Sequence, residues 1–126
     1  MANMPARRLL IVDDDALVRS LLRDLLSPTG CELLEAANGA DALERYRLHR
    51  PHMVLLDLMM PQQSGLEALE AIRALDANAR VLVISSLDAE SLRKSAAAAG
   101  AIGYVVKPFH PMEVLDAVQR ALAALP

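Results

Sequence analysis

Short apolar runs alternate along this chain with longer stretches of helical periodicity. The runs fall near residues 8–12, 31–36, 52–56, 80–84 and 102–106, each of strand length. Leu9-Leu10-Ile11-Val12 and Met53-Val54-Leu55-Leu56 are apolar at every position, not at alternate ones. Strands of that kind are buried on both faces, as in a parallel sheet covered by helices. Between the first two runs, Leu17, Val18, Leu21, Leu22, Leu25 and Leu26 recur at one-turn spacing, with Arg19, Arg23 and Asp24 among them. A second helix is predicted over about 40–49, after Asn38-Gly39. Leu66, Leu69, Ile72 and Leu75 mark a third, opened by Ser64 and Glu67 in capping-box spacing. A fourth spans about 88–99, with Asp88 as its N-cap and Gly100 as its stop. Leu115, Val118, Leu122 and Leu125 mark the last, with Pro111 in its first turn and His110 as its cap.

Five strand–helix units in succession predict an α/β fold. The expected form is a five-stranded parallel sheet with helices on both faces, a (βα)5 doubly wound, flavodoxin-like arrangement. Residues 1–6 read as an N-terminal tail and 7–124 as one domain.

The polar residues that close the apolar runs change the picture. Asp13-Asp14-Asp15 follows the first run, Asp57 the third, Ser85-Ser86 the fourth, and Lys107 the fifth, just before Pro108. In open α/β sheets ligands bind at the carboxyl ends of the strands. Neighbouring parallel strands lie about 5 Å apart, so carboxylates at adjacent tips can share one ion. Crowded anionic oxygens repel unless a cation or protons neutralise them. Mg2+ suits such a place, because it takes few carboxylates and keeps waters that a phosphate can displace. Acids after a strand also suit the positive end of a helix, and that alternative stands for each member of the triplet alone. Ser85 and Ser86 read as turn residues or as hydroxyl donors to a phosphoryl oxygen. Lys107 reads as a surface lysine or as a fixed cation at the sheet edge.

Composition narrows the rest. The 126 residues include one cysteine, two tyrosines and one phenylalanine, so one aliphatic core is expected and no internal disulfide is possible. A net charge of −3 argues against a nucleic-acid grip by this domain. No apolar stretch reaches spanning length and the first residues lack a signal peptide's apolar region, so a cytoplasmic location without membrane contact is expected. His49 and His52, three apart around Pro51, read as surface residues and not as metal ligands. Cys31 reads as packing, and Met53, Met59, Met60 and Met112 as core or pocket wall.

Taken together, Ile-Val-Asp13-Asp14-Asp15, Leu-Leu-Asp57-Leu-Met-Met-Pro61, Gly65, Val-Leu-Val-Ile-Ser85-Ser86 and Gly100-Ala-Ile-Gly-Tyr104-Val-Val-Lys107-Pro108-Phe109 resemble the receiver domain of bacterial two-component response regulators. The chemotaxis-regulator type is the nearer match, with order and spacing agreeing from about residue 7 to 124. The resemblance implies a signalling phosphoacceptor, not a turnover enzyme, that assists its own phosphorylation and dephosphorylation. Asp57 would take a phosphoryl group from a phosphohistidine on a sensor histidine kinase. Asp14, Asp57 and the backbone carbonyl of Met59 would hold Mg2+, with Asp13 acting through a water. Lys107 and Ser85 would contact the phosphoryl oxygens, and the Lys107–Pro108 bond would be cis. Ser85 and Tyr104 would form the switch, and the face of the fourth helix, fifth strand and fifth helix would control an output protein or a fused output domain. Asp15 falls outside the family's acidic pair and reads as a helix-start residue. Ser64 stands where the family often has an acid, and Ile102-Gly103 where dimerising receivers often carry an acidic pair. Met59 and Leu87, both apolar, are expected to hinder the water that hydrolyses the acyl phosphate.

Three other readings remain at this level. The chain could be the receiver part of a DNA-binding transcriptional regulator. Asp13-x-Asp15 has the spacing of a metal-dependent aspartyl phosphohydrolase, although Asp57 and Lys107 would then go unexplained. A flavodoxin-like small-molecule binder would share the fold but lacks a glycine-rich phosphate loop.

Overall fold

A computed structural model describes residues 6–60 and 64–125. Its elements are β1 (Arg8–Val12), α1 (Ala16–Leu26), β2 (Glu32–Ala36), α2 (Gly39–His49), β3 (Met53–Leu56), α3 (Gly65–Leu75), β4 (Val81–Ser85), α4 (Glu90–Ala98), β5 (Ala101–Val106) and α5 (Pro111–Ala123). All strands are parallel, in the order β2-β1-β3-β4-β5. The fold is thus the doubly wound α/β sheet expected from the alternation. Pro61 and residues 1–5 of the anticipated tail lie outside the described residues.

The uniformly apolar strands follow from burial on two sides. Leu10, Val12, Val54, Leu56, Val81 and Val83 point into one core, against Ala42 and Tyr46 of α2, Ala68, Leu69 and Ile72 of α3, and Ala96 of α4. Leu9, Ile11, Met53, Leu55, Leu82 and Ile84 point into the other, against Leu22 and Leu26 of α1 and Val114, Val118 and Leu122 of α5. Successive side chains of a strand alternate faces, so each strand feeds both cores. β5 is an edge strand, and its register with β4 slips between Val81 and Leu82, which leaves Ile102 as the extra, exposed residue.

The helix ends have local causes. Asp15, Asn38, Ser64 and His110 each accept a hydrogen bond from a first-turn backbone N–H of α1, α2, α3 and α5. Ser64 does so through Leu66 N–H and not through Glu67. Gly100 takes φ +102 after α4, where an L side chain would be strained. The start of α4 differs from expectation. Ala89, not Asp88, occupies its N-cap and has no polar side chain to cap with; the Asp88 carboxylate pairs instead with Arg93 at 2.7 Å. A single 3-10 turn, Ser27–Thr29, follows α1 and was not anticipated. Leu17 and Leu21, assigned to an apolar face by spacing, and Met112, read as core or pocket wall, are exposed at 80%, 53% and 50%.

Topology carries the site. β1 and β3 are neighbours, whereas β1 and β2 are joined in sequence, so the chain reverses direction of growth at the β1/β3 boundary. That boundary is the switch point where a crevice opens beyond the strand tips.

Candidate functional site

Backbone bonds carry each strand one residue past its formal end, and those residues are the polar ones. Asp13 N–H donates to the Ala36 carbonyl at 3.1 Å, Asp57 N–H to Val12 at 3.0 Å, and Lys107 N–H to Ser85 at 2.9 Å. The Lys107–Pro108 peptide bond is cis. The side chains therefore start from fixed points on one edge of the sheet.

Asp13, Asp14 and Asp57 converge there, each offering a carboxylate oxygen within 4.8 Å of the others. Asp13 and Asp57 are 2% and 6% exposed, and Asp14 faces solvent. Lys107 crosses from beyond β5 and places Nζ 2.7 Å from Asp13 Oδ2 and 3.1 Å from Asp57 Oδ2. The other oxygens of the two buried acids accept backbone N–H groups, Asp15 to Asp13 Oδ1 and Met59 to Asp57 Oδ1, both at 2.9 Å.

One ammonium does not neutralise three carboxylates. Burial pushes the Asp57 carboxyl above its ordinary value, against the Met59 N–H and Lys107, which stabilise its charge. Burial alone would lower Lys107, but its bond to Asp13 and the charge of Asp57 outweigh that and raise it. The lysine is therefore held charged and the cluster remains short of positive charge. Three hard oxygens facing an open cleft of about 460 Å3 fit a small divalent cation that keeps part of its water shell.

The cleft is lined by Asp13, Asp14, Asp15, Val18, Asp57, Met59, Met60, Ser86 and Lys107. Met59 is half exposed on its wall. Asp15 is engaged as the cap of α1, its Oδ1 accepting Leu17 N–H at 2.9 Å. Ser85 lies beneath the wall, fully buried, its Oγ accepting Leu87 N–H at 3.2 Å, whereas Ser86 lines the cleft. Leu87 also accepts the Tyr104 hydroxyl on its carbonyl at 2.5 Å. One peptide segment thus joins Ser85 to Tyr104. Burial raises the Tyr104 phenol, with Ser85 and Arg93 pulling the other way. Arg93 of α4 stands 5.0 Å above the Tyr104 ring.

His52 is exposed and accepts Arg8 N–H, far from any carboxylate cluster. A larger cleft of about 550 Å3 lies between β5 and α5, lined by Arg80, Ile102, Tyr104, Glu113 and Arg120 among others, and holds no carboxylate group of metal-ligand geometry among the described residues. The contacts that sequence reasoning missed are the Leu87 backbone, Arg93 and Arg19, whose Nη1 donates to the Asp13 carbonyl at 2.7 Å. Each depends on which elements are neighbours, and no local pattern signals it.

Comparison with known proteins agrees with this geometry. The sequence model for the response regulator receiver domain matches residues 9–119. Chemotaxis protein CheY of Bacillus subtilis is 42% identical over 118 residues, covering 93% of this chain and 98% of that protein. Transcriptional regulatory protein PdtaR of Mycobacterium tuberculosis is 36% identical over 118 residues, covering 93% of this chain and 57% of that protein. The structure of a CheX–CheY–BeF3–Mg2+ complex from Borrelia burgdorferi superimposes with a TM-score of 0.87 at 34% identity, covering 92% of this chain and 89% of that one. Among the described residues no helix is long and apolar enough to cross a membrane. Since the family match takes in the acidic strand tips and the lysine beyond β5 together, the assignment follows: the chain belongs to the response regulator receiver domains and is CheY-like.

Proposed function

We propose that Asp57 is the phosphoacceptor of a two-component pathway, taking its phosphoryl group from a phosphohistidine of a sensor histidine kinase. The observation that carries this reading is the convergence of Asp13, Asp14 and Asp57 within 4.8 Å around a lysine bound to two of them. An Asp57 oxygen attacks phosphorus, the P–N bond breaks, and the imidazole leaves and takes up a proton. Asp14, Asp57 and the Met59 carbonyl would hold Mg2+, with Asp13 acting through a water. When bound, the ion would supply positive charge for the phosphoryl oxygens. Lys107 supplies a second positive charge, for which its tether to Asp13 prepares it. The Borrelia burgdorferi relative, crystallised with Mg2+ and BeF3, is consistent with the same occupants here.

Ser85 is the switch hydroxyl. It turns from Leu87 N–H toward the new phosphoryl oxygens, and the segment that also anchors Tyr104 shifts with it. The face of α4, β5 and α5 then presents a different surface to an output protein or fused output domain, a two-state element biased by a local charge. The domain makes no direct nucleic-acid contact, in keeping with its net charge of −3. Use of Asp15 as a helix cap weighs against the phosphohydrolase reading.

The test is incubation with acetyl phosphate and Mg2+ followed by intact mass. The expected result is one acid-labile phosphate per chain, lost in Asp57→Asn and lost when EDTA replaces Mg2+. Steady hydrolysis of a generic phosphate ester, or labelling that survives Asp57→Asn, would sink the proposal.

A further inference from the structure

Asp14 is the exposed member of the acidic cluster, and among the described residues no side-chain hydrogen bond holds its carboxylate. Its direction is therefore set by its own backbone, and the residue that precedes it is held at both of its backbone polar groups. On one side of Asp13, its N–H donates to the Ala36 carbonyl at 3.1 Å. On the other, its carbonyl accepts Arg19 Nη1 at 2.7 Å. Arg19 in turn donates from Nε to Glu35 Oε1 at 2.9 Å, and Glu35 precedes Ala36 in β2. Both polar groups of the Asp13 backbone are thus anchored to the last two residues of β2, one directly and one through a guanidinium. Arg19 is 18% exposed, and Glu35 is gripped from its other oxygen by Arg23 at 3.0 Å.

We infer that Arg19 is a positioning residue for the cation site: braced by Glu35, it fixes the Asp13–Asp14 peptide plane and so aims the Asp14 carboxylate at Asp57. The inference rests on the reading of Asp14 and Asp57 as cation ligands. An arginine suits the task because its planar fork can hold a carboxylate with one N–H and a carbonyl with another. A bond from a charged donor is short and roughly twice as strong as a neutral one, enough to hold a peptide against rotation.

A bland account would make Arg19 only a staple between α1 and β2. Arg23 separates the two, since it grips the same carboxylate but does not touch Asp13. The sign of the effect separates positioning from plain electrostatics. Taking a positive charge away from an acidic cluster would by Coulomb's law tighten a divalent cation. Losing the brace would weaken it, by about tenfold on the scale seen when groups that orient metal ligands are removed.

The experiment is calorimetric titration of the purified chain with Mg2+, alongside amide NMR shifts of Asp13–Asp15 and thermal unfolding in EDTA. Arg19→Gln should raise the Mg2+ half-saturation concentration by about tenfold, and Arg19→Lys should also weaken binding because an ammonium lacks the rigid planar fork that presents separate donors to the two acceptors. Arg23→Gln should leave Mg2+ binding unchanged even where it lowers Tm. Unchanged or tighter binding in Arg19→Gln, or equal weakening in Arg23→Gln, would overturn the inference while leaving the site reading intact. Should Arg19→Gln fail to fold, Arg19→Lys, which keeps the charge beside Glu35, carries the same test: binding equal to the parent overturns it. A parent chain that binds no Mg2+ would overturn both readings.

Discussion

Replacing Gly65 by alanine tests whether helix α3 and the phosphoacceptor loop are locked together. Helix propensity alone predicts a gain, since alanine is favoured over glycine by up to about 1 kcal/mol in a helix. The structure predicts the opposite. A Cβ on Gly65 would sit 2.3 Å from Leu58 Cα, 2.5 Å from the Asp57 carbonyl oxygen and 2.8 Å from the Leu58 carbonyl carbon. Carbon atoms in contact prefer separations of about 3.5–4.0 Å, so the two backbones must part by more than about 1 Å. All three atoms are main chain and cannot step aside by changing rotamer. The Gly65 N–H to Leu58 carbonyl bond, 3.0 Å, would stretch with them.

The strain falls on Asp57, on α3, or on both. Forced overpacking of this kind costs about 1–3 kcal/mol. A shift of about 1 Å at a reacting group can cost about a hundredfold in rate. Gly65→Ala is therefore expected to lower the urea midpoint, followed by circular dichroism, and to slow acyl-phosphate formation from acetyl phosphate, followed by intact mass. Gly100→Ala is the control. It is strained by its φ of +102 and meets the flexible Arg73 guanidinium at 2.3 Å, so it should cost stability while leaving phosphorylation untouched. If Gly65→Ala matches the parent in both assays, the claim that close backbone approach fixes the site is wrong.

Three further outcomes follow from the same contacts. Because burial raises the folded-state value of Asp57, folding penalises its charged form; relative stability is present below the ordinary carboxylate value and is lost as pH rises through the raised value. Asp57→Asn should thus raise Tm near neutral pH in EDTA, by a margin that shrinks toward acid pH, and a lower Tm than the parent would contradict the assignment of strain to this carboxylate. Tyr46→Phe removes a 2.8 Å bond from a buried hydroxyl to Asp76 and should cost about 1–2 kcal/mol in urea unfolding without altering phosphorylation; an unchanged midpoint would refute the bond's part in holding α2 to α3. Met59→Asn places an amide in the cleft wall where it can order water, and should shorten the acyl-phosphate lifetime; loss of phosphate no faster than the parent would count against shielding by Met59.

Much of the fold was legible because β1, β3 and β4 are buried on both faces, which leaves an unbroken apolar run bounded by polar residues. Asp13, Asp57 and Lys107 stand out for the same reason, as charges where such a run stops. Strand order was not legible from periodicity, since hydrophobic spacing says which face is buried and not which strand lies alongside. The start of α4 was misplaced because Asp88 has two possible partners, a free helix N–H and an arginine five residues on, and the arginine wins. Leu17 and Leu21 sit at helical spacing with Leu22 and Leu26, but α1 has room against the sheet for one stripe only. Arg19, Arg93 and the Leu87 backbone act across elements, so their neighbours appear only once β1 lies beside β2 and α4 lies over β5.

The cluster is poor design for stability and sound design for a switch. Two buried carboxylates share one lysine, and a third stands within 4.8 Å with no cation of its own. An uncompensated buried charge opposes folding, and here it is retained at the tip of the most deeply buried strands. Anything that brings positive charge lowers that cost, so Mg2+ should stabilise the fold and folding should favour Mg2+ by the same free energy. A phosphoryl group reverses the balance by adding negative charge beside Lys107, whose Nζ is already committed to Asp13 and Asp57. An ammonium has three N–H donors, so one remains to meet the new oxygens. Ser85 Oγ accepts Leu87 N–H, which leaves its own O–H to donate to them, and the Leu87 carbonyl in turn holds Tyr104. Under the role proposed for Asp57, phosphorylation would reach the β5 edge through the Leu87 segment that joins Ser85 to Tyr104. Reciprocity requires that a partner preferring the shifted Tyr104 must slow loss of the phosphoryl group.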